Sequence, residues 1–187
     1  MASWLIDLAF AFWLFLPAGF ANMTPILVAK LPIISRWSLP IDFGKSFNSR
    51  RIFGDNKTWR GLVFGILAGV LICCLQFWLA DQFHLSFLET QPKYNQTPPI
   101  ILGLLLGLGA LAGDSVESFF KRRSAIKSGQ TWFPFDQLDY IFGAVIFSYW
   151  LIPLEVSELA SLFVVWFFMH LLFSYLGYKT GFKSQPI

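Results

Sequence analysis

Five apolar runs of roughly 20 residues each dominate the chain, and they limit the fold more than any other feature. Each is long enough, or nearly so, to cross the ~30 Å hydrocarbon layer of a bilayer. Only helices and closed barrels satisfy their backbone polar groups inside lipid. These runs are continuous rather than alternating, so they read as helices. The expected spans are Trp4 to Ala29, Gly61 to Ala80, Pro98 to Phe119, Leu138 to Leu154, and Leu159 to Tyr178. Composition agrees: 13% of the residues are charged, against about 25% in soluble domains. At 187 residues the chain is expected to form a single membrane-embedded domain, all-α and polytopic. Its first apolar stretch lacks a basic leader and continues past Ala21, so it reads as a retained span and not a cleaved signal.

The cations set the orientation. Lys30, Arg36, Lys45, Arg50, Arg51, Lys57 and Arg60 lie around the first loop, Lys121, Arg122, Arg123 and Lys127 in the third, and Lys179 and Lys183 in the tail. With five spans all of these fall on one face. Asp7, Asp81, Glu89, Lys93, Glu155 and Glu158 fall on the other. Basic loops stay cytoplasmic, so the N-terminus is expected outside and the C-terminus inside. The loops at about 30–60 and 120–137 then face the cytoplasm.

Glycines recur four apart at Gly61, Gly65 and Gly69, at Gly103 and Gly107, and at Gly109 and Gly113. Such rows let helices approach closely, either inside the bundle or across a homodimer face. Adjacent Cys73 and Cys74 read as small core residues. His170 reads as a polar packing residue of the last span.

Chemistry concentrates at the basic face. In G-D-S-V-E-S-F-F-K-R-R, Asp114, Glu117, Ser118 and Lys121 are spaced i, i+3, i+4 and i+7 and share one helix face. A carboxylate in a span costs ~2.5–3.5 kcal/mol and needs a partner or a ligand. For Glu117 that partner could be Lys121 at i+4. In W-F-P-F-D-Q-L-D-Y, Asp136 and Asp139 open the fourth span. One of them could cap the helix; together with Asp114 they could hold Mg²⁺, which takes a few carboxylates and leaves room for phosphate oxygens. R-R-I-F-G-D-N-K-T-W-R-G reads as a basic loop with a phosphate-binding turn at Gly54 to Thr58, and no Walker A motif is present. In P-A-G-F-A-N-M-T-P, Asn22 and Thr24 sit between two prolines and could line the same cavity or accompany a tolerated kink.

These stretches together resemble the CDP-archaeol synthase family, small five-span relatives of the phosphatidate cytidylyltransferases. The residues that carry the resemblance are D-F-G-K-S-F followed by R-R-I-F-G-D-N-K-T-W-R-G, and G-D-S-V-E-S-F-F-K-R-R followed by D-Q-L-D-Y. The resemblance runs from Pro17 to Gly143. It implies that CTP and a membrane lipid phosphate, an unsaturated archaeal ether phosphatidate or a related phosphatidate, give a CDP-activated lipid and pyrophosphate with Mg²⁺. Asp114, Asp136 and Asp139 would then be metal and catalytic ligands, with Lys121 catalytic. Asn22, Lys45, Arg50, Arg51, Lys57, Arg60, Ser118 and Arg122 would meet substrate. The implied partners are CTP, the lipid phosphate and the bilayer, with no nucleic acid. Where the family carries acidic and glycine residues before the Arg-Arg pair, this chain has Asn48-Ser49, which argues against a metal role for that loop. A CDP-alcohol phosphotransferase would need a D-G-x-x-A-R run that is absent. A transporter or lipid-binding protein is the non-enzymatic alternative, but transporters place polar groups at the midplane, and here charge gathers at one face.

Overall fold

The computed structural model describes residues 3–88, 91–183 and 185–186. Among the described residues six α-helices follow one another: α1 (Ser3–Val28), α2 (Trp59–Phe83), α3 (Pro92–Gln96), α4 (Pro99–Arg123), α5 (Phe135–Ser148) and α6 (Val156–Lys179). Of these, α1, α2, α4 and α6 are long and apolar enough to cross a membrane. The fourth expected span is shorter than its apolar run. With 14 residues, α5 is about 21 Å long at 1.5 Å per residue, and looser turns carry the chain on to Ile152. Helices α2 and α6 extend past their expected bounds at both ends, and α4 continues four residues beyond the expected Phe119, carrying its basic last turn with it. Glu89, expected on the far face, lies outside the described residues.

The core is where α1, α4, α5 and α6 meet. Phe10, Phe15, Leu102, Leu106, Tyr140, Ile141, Leu162 and Trp166 are all buried there. Two of its aromatic residues satisfy their polar groups on backbone acceptors, as a lipid-embedded core favours. The Tyr140 hydroxyl donates to the Trp166 carbonyl (2.9 Å), and Trp166 Nε1 donates to the Ala11 carbonyl (3.0 Å). On the far side the segment between α2 and α4 folds inward. Its Tyr94 is buried, accepts a hydrogen bond from Trp13 Nε1 (2.9 Å) and stacks on Phe77.

The glycine rows are used inside the bundle. Gly69 of α2 faces Gly103 and Gly107 of α4. Gly109 and Gly113 of α4 face Gly143 and the Asp139 carbonyl of α5. At Gly113 an added Cβ would collide with that carbonyl, whereas at Gly107 it would sit 3.4 Å from its nearest neighbour, Ile66 Cα. The α4–α5 pair is therefore in backbone contact, and no side chain larger than hydrogen fits at the crossing.

The first loop contains an unexpected hairpin. Strand β1 (Ser46–Phe47) pairs antiparallel with β2 (Arg50–Arg51). The turn residues Asn48 and Ser49 both have positive φ, 49° and 60°, the backbone that a two-residue hairpin turn of the matching twist demands. A period-2 pattern two residues long carries no sequence signal.

The two glycines give a paired test. Gly107→Ala should leave the thermal unfolding midpoint in detergent unchanged or raise it slightly, because alanine favours helix. Gly113→Ala should lower stability by about 1–3 kcal/mol, the cost of overpacking. Equal midpoints would show that the α4–α5 crossing is not tight.

Candidate active site

The basic ends of α1, α2, α4 and α6 and the start of α5 surround a cavity of about 530 Å³, within the size range of small-molecule sites. The close α4–α5 contact fixes its acidic floor. Because Gly113 lies against the Asp139 backbone, Asp114 at the next position faces Asp139 across the crossing. Glu117, one helical turn further on, reaches the same point. Carboxylate oxygens of Asp114, Glu117 and Asp139 all lie within 4.8 Å of one another.

This set differs from the trio expected from sequence. Asp136 is not part of it; its Oδ1 lies 2.5 Å from Lys121 Nζ, and its Oδ2 accepts from the Trp132 amide (2.9 Å). Nor is it the helix cap, since Pro134 holds that place. Glu117 does pair with Lys121, at 3.2 Å, yet its buried Oε1 accepts no well-aligned hydrogen bond. Lys121 therefore bridges Glu117, a member of the three-carboxylate cluster, to Asp136 beside it.

Lys57 enters the cluster from the first loop. Its ammonium donates to Asp114 Oδ2 at 2.6 Å. Burial disfavours the charged amine, but the nearby Asp114, backed by Asp139 and Glu117, holds its pKa above the ordinary lysine value. The next residue, Thr58, caps α2 by accepting from the Gly61 amide (3.2 Å), so the position of Lys57 is tied to the start of a helix.

Not every cation of the loop reaches the cavity. Asn22, Lys57, Arg60, Ser118 and Arg122 line it, together with Lys121. Lys45, Arg50 and Arg51 are absent from the lining among the described residues, and their polar atoms hold the loop together instead. Arg50 donates to the Arg122 and Arg123 carbonyls at the end of α4. Arg51 pairs with Asp42 (2.7 Å) and with Asp55. Arg60 lines the cavity but donates to the Ser35 carbonyl (2.7 Å), which anchors the chain leaving α1.

Asp42 is the residue that organises this loop. Its side chain is fully buried. Oδ1 accepts from the Gly44 amide and Arg51, and Oδ2 accepts from the amides of Phe53 (3.0 Å) and Gly54 (3.2 Å). The first amide of the expected phosphate-binding turn, that of Gly54, and the Phe53 amide before it are thus already occupied by an anion of the chain itself. Gly54 has φ +96°, the left-handed backbone that this wrap needs. Burial opposes the charge of Asp42, but the Arg51 guanidinium and the three amides outweigh it and hold the pKa at about 2.

Four further lining features had no role at the site in the sequence reading. The segment Ser128 to Thr131 forms one wall. Gln137 is fully buried in the floor with neither amide atom hydrogen-bonded. His170 of α6, expected to pack, faces the cavity and contacts the Tyr140 ring. Lys183 reaches in from the tail. Only Gln137 carried a sequence signal, through its place between the two aspartates.

A second, apolar cavity of about 260 Å³ runs between α1 and α6. It shares Asn22, Ile26, His170, Phe182 and Lys183 with the polar one. A charged chamber opening beside an apolar groove suits a substrate with a polar head and a lipid tail.

Comparison with known proteins places this arrangement. The family model described as CarS-like, CDP-archaeol synthase, matches residues 5–187. Similar proteins named CDP-archaeol synthase include one from Thermococcus onnurineus, 38% identical over 97% of this chain and 98% of its own length. One from Thermococcus kodakarensis is 39% identical over 98% and 99%, and one from Methanocaldococcus jannaschii is 36% identical over 92% and 93%. A solved structure described as an intramembrane enzyme for archaeal membrane lipid biosynthesis superimposes with a TM-score of 0.70. It is 31% identical and covers 87% of this chain and 90% of that one.

The role of Asp42 can be tested on the loop alone. Asp42→Asn should speed tryptic cleavage at Lys45, Arg50 and Arg51 in detergent, with helical circular dichroism unchanged. In the unaltered protein the carboxylate, depressed below its ordinary ~3.9, contributes its full stabilisation above about pH 4. That contribution is lost as pH falls towards about 2. Amide exchange at Phe53 and Gly54 should accelerate over that window and not at higher pH; an onset near neutrality would remove Asp42 as the cause.

Proposed function

We propose, for a chain that belongs to the CDP-archaeol synthase family, that the polar cavity is where CTP and a membrane lipid phosphate meet. The chain is a multi-pass membrane cytidylyltransferase of lipid biosynthesis. The finer reading is that its lipid substrate is an unsaturated ether phosphatidate or a related phosphatidate. One observation carries it: three carboxylates and several cations converge in a chamber that opens beside an apolar groove.

A hard divalent cation, Mg²⁺, suits the floor of the chamber. The converging ligands are all carboxylate oxygens, the set that such ions select. Asp114, Glu117 and Asp139 would hold it: their oxygens lie within 4.8 Å of one another, and two lysines, Lys57 on Asp114 and Lys121 on Glu117, are the cations that reach this trio. When bound, the ion supplies charge to the phosphate oxygens in the transition state.

The chain's own residues do the rest. An oxygen of the lipid phosphate attacks the α-phosphorus of CTP. The new O–P bond forms as the bond from the α-phosphorus to the bridging oxygen breaks, and pyrophosphate leaves with that electron pair. Lys57 keeps Asp114 oriented. Lys121, gripped by Glu117 and Asp136, presents a fixed cation. Arg122 lines the chamber beside Gly54, and among the described residues it forms no ion pair, which leaves its guanidinium for the triphosphate. Such preorganised charge is the main catalytic resource in transfers of this kind.

The cavity also bears on topology. Lys121 at the end of α4 and Lys183 just beyond α6 both line it, so those two helices end on the same side. α5 starts there, with Asp136 on Lys121, while α6 must begin on the opposite side. The segment from Asp136 to Glu155 then crosses the layer, which supports five spans with the N-terminus out, the C-terminus in and the site towards the cytoplasm.

The decisive measurement is CTP-dependent pyrophosphate release by purified protein in detergent free of anionic lipid, with ether-isoprenoid and ester-acyl phosphates compared. Turnover should require both a lipid phosphate and Mg²⁺. Asp114→Asn, Glu117→Gln and Asp139→Asn should each lower kcat by roughly 10²–10³. A folded Glu117→Gln protein at full rate would return Glu117 to a simple ion pair, and release of pyrophosphate without lipid phosphate would remove the proposed acceptor.

A further inference from the structure

The tail beyond α6 is held in a defined shape. Gly181 has φ +73° and turns the chain back, so that the amides of Phe182 (2.7 Å) and Lys183 (2.9 Å) both donate to the Gly177 carbonyl. Lys30, at the end of α1, clamps this turn: its ammonium donates to the Gly181 carbonyl (2.6 Å) and lies 4.4 Å from the centre of the Phe182 ring. The stem of Lys183 then runs over Gly177, where an added Cβ would touch it at 3.5 Å. Its ammonium ends at Ser174 Oγ, 2.7 Å away.

That ammonium sits where the two cavities join. Lys183 lines both the charged chamber and the apolar groove, and among the described residues it is the one lysine or arginine in the lining of the groove. Its hydrogen-bond acceptor is a neutral hydroxyl, and no carboxylate forms an ion pair with it among the described residues. The other chamber lysines differ: Lys57 is paired with Asp114, and Lys121 with Glu117 and Asp136. A half-buried cation with no carboxylate in direct contact, at the mouth of an apolar groove, is complementary to an anionic head on an apolar tail.

We propose that Lys183 receives the phosphate of the lipid substrate, whose hydrocarbon chain lies in the groove between α1 and α6. The proposal rests on the function argued above and divides that site in two. The lipid phosphate enters at the α1–α6 end, while the triphosphate occupies the end lined by Arg122 and Ser128. The attacking oxygen and the departing pyrophosphate are thereby kept on different sides of the α-phosphorus, as an in-line displacement needs.

The test uses Lys183→Gln and Lys183→Arg in the full chain, with initial rates measured against each substrate in turn. Lys183→Gln should raise KM for the lipid phosphate about tenfold or more, the effect of leaving a charged group without its partner, with KM for CTP within twofold. Lys183→Arg should recover most of the loss, and both variants should unfold at the wild-type temperature. An unchanged lipid KM in Lys183→Gln would overturn the assignment. Equal losses for both substrates with no rescue by arginine would overturn it too, leaving Lys183 as a tail fastener. Direct binding of a lipid phosphate to wild type and to Lys183→Gln, read by thermal shift, keeps the two readings separable. If wild type binds the lipid phosphate tightly and Lys183→Gln does not, while neither turns over, Lys183 stands and the proposed reaction falls. If wild type turns over and both bind equally, the reaction stands and Lys183 falls.

Discussion

Everything at the site depends on α4 and α5 touching backbone to backbone. Lipid gives carboxylates no water to lean on, so Asp114, Glu117 and Asp139 can share one point only if partners reach it as well. The Gly109, Gly113 and Gly143 contact sets the helix separation, and the separation sets the carboxylate distances. Lys57 can then close on Asp114 from the first loop. A larger residue at the crossing would move Asp139 away before it altered any charge.

The cations divide by function in a way that follows from what each can pair with. Arg51 and Arg50 hold the loop shut, through Asp42, Asp55 and the carbonyls that end α4. Arg123 lies over the Phe119 ring, 4.3 Å from its centre, and donates to carbonyls of the hairpin. These arginines use their forked donors on several acceptors at once, in a fixed planar geometry that a lysine lacks. Lys57 and Lys121 balance the acidic floor. Arg122 and Lys183 retain unused charge and stand at different ends of the chamber. A count of basic residues in the loop would have assigned most of them to phosphate; their geometry assigns few.

The loop shows how an internal anion can imitate a ligand. The Gly54 region has the glycine and exposed-amide character of a phosphate-binding turn, but Asp42 takes the Phe53 and Gly54 amides from twelve or fewer residues away. This makes the loop a preformed wall of the cavity and spares it from folding around substrate, so less conformational entropy is lost on binding.

Sequence alone determined the all-helical membrane character, because apolar runs of span length admit few other folds. It determined that charge lies at one end of the bundle, and it singled out Asp114, Asp139, Lys57, Lys121 and Arg122 by helical spacing and by motifs long enough to identify a family. It also showed Glu117 on the face of Asp114, without deciding whether Lys121 satisfied it. Tertiary structure decided that Glu117 lies within reach of both Asp114 and Asp139, while Asp136 lines the same cavity but is held on Lys121, since only the angle of α5 against α4 determines where each of two aspartates three residues apart points. It decided that Asp42 is a keystone and that Lys183, far from every motif, enters the site. Both are contacts between segments distant in sequence, and neither spacing nor composition encodes where two such segments meet.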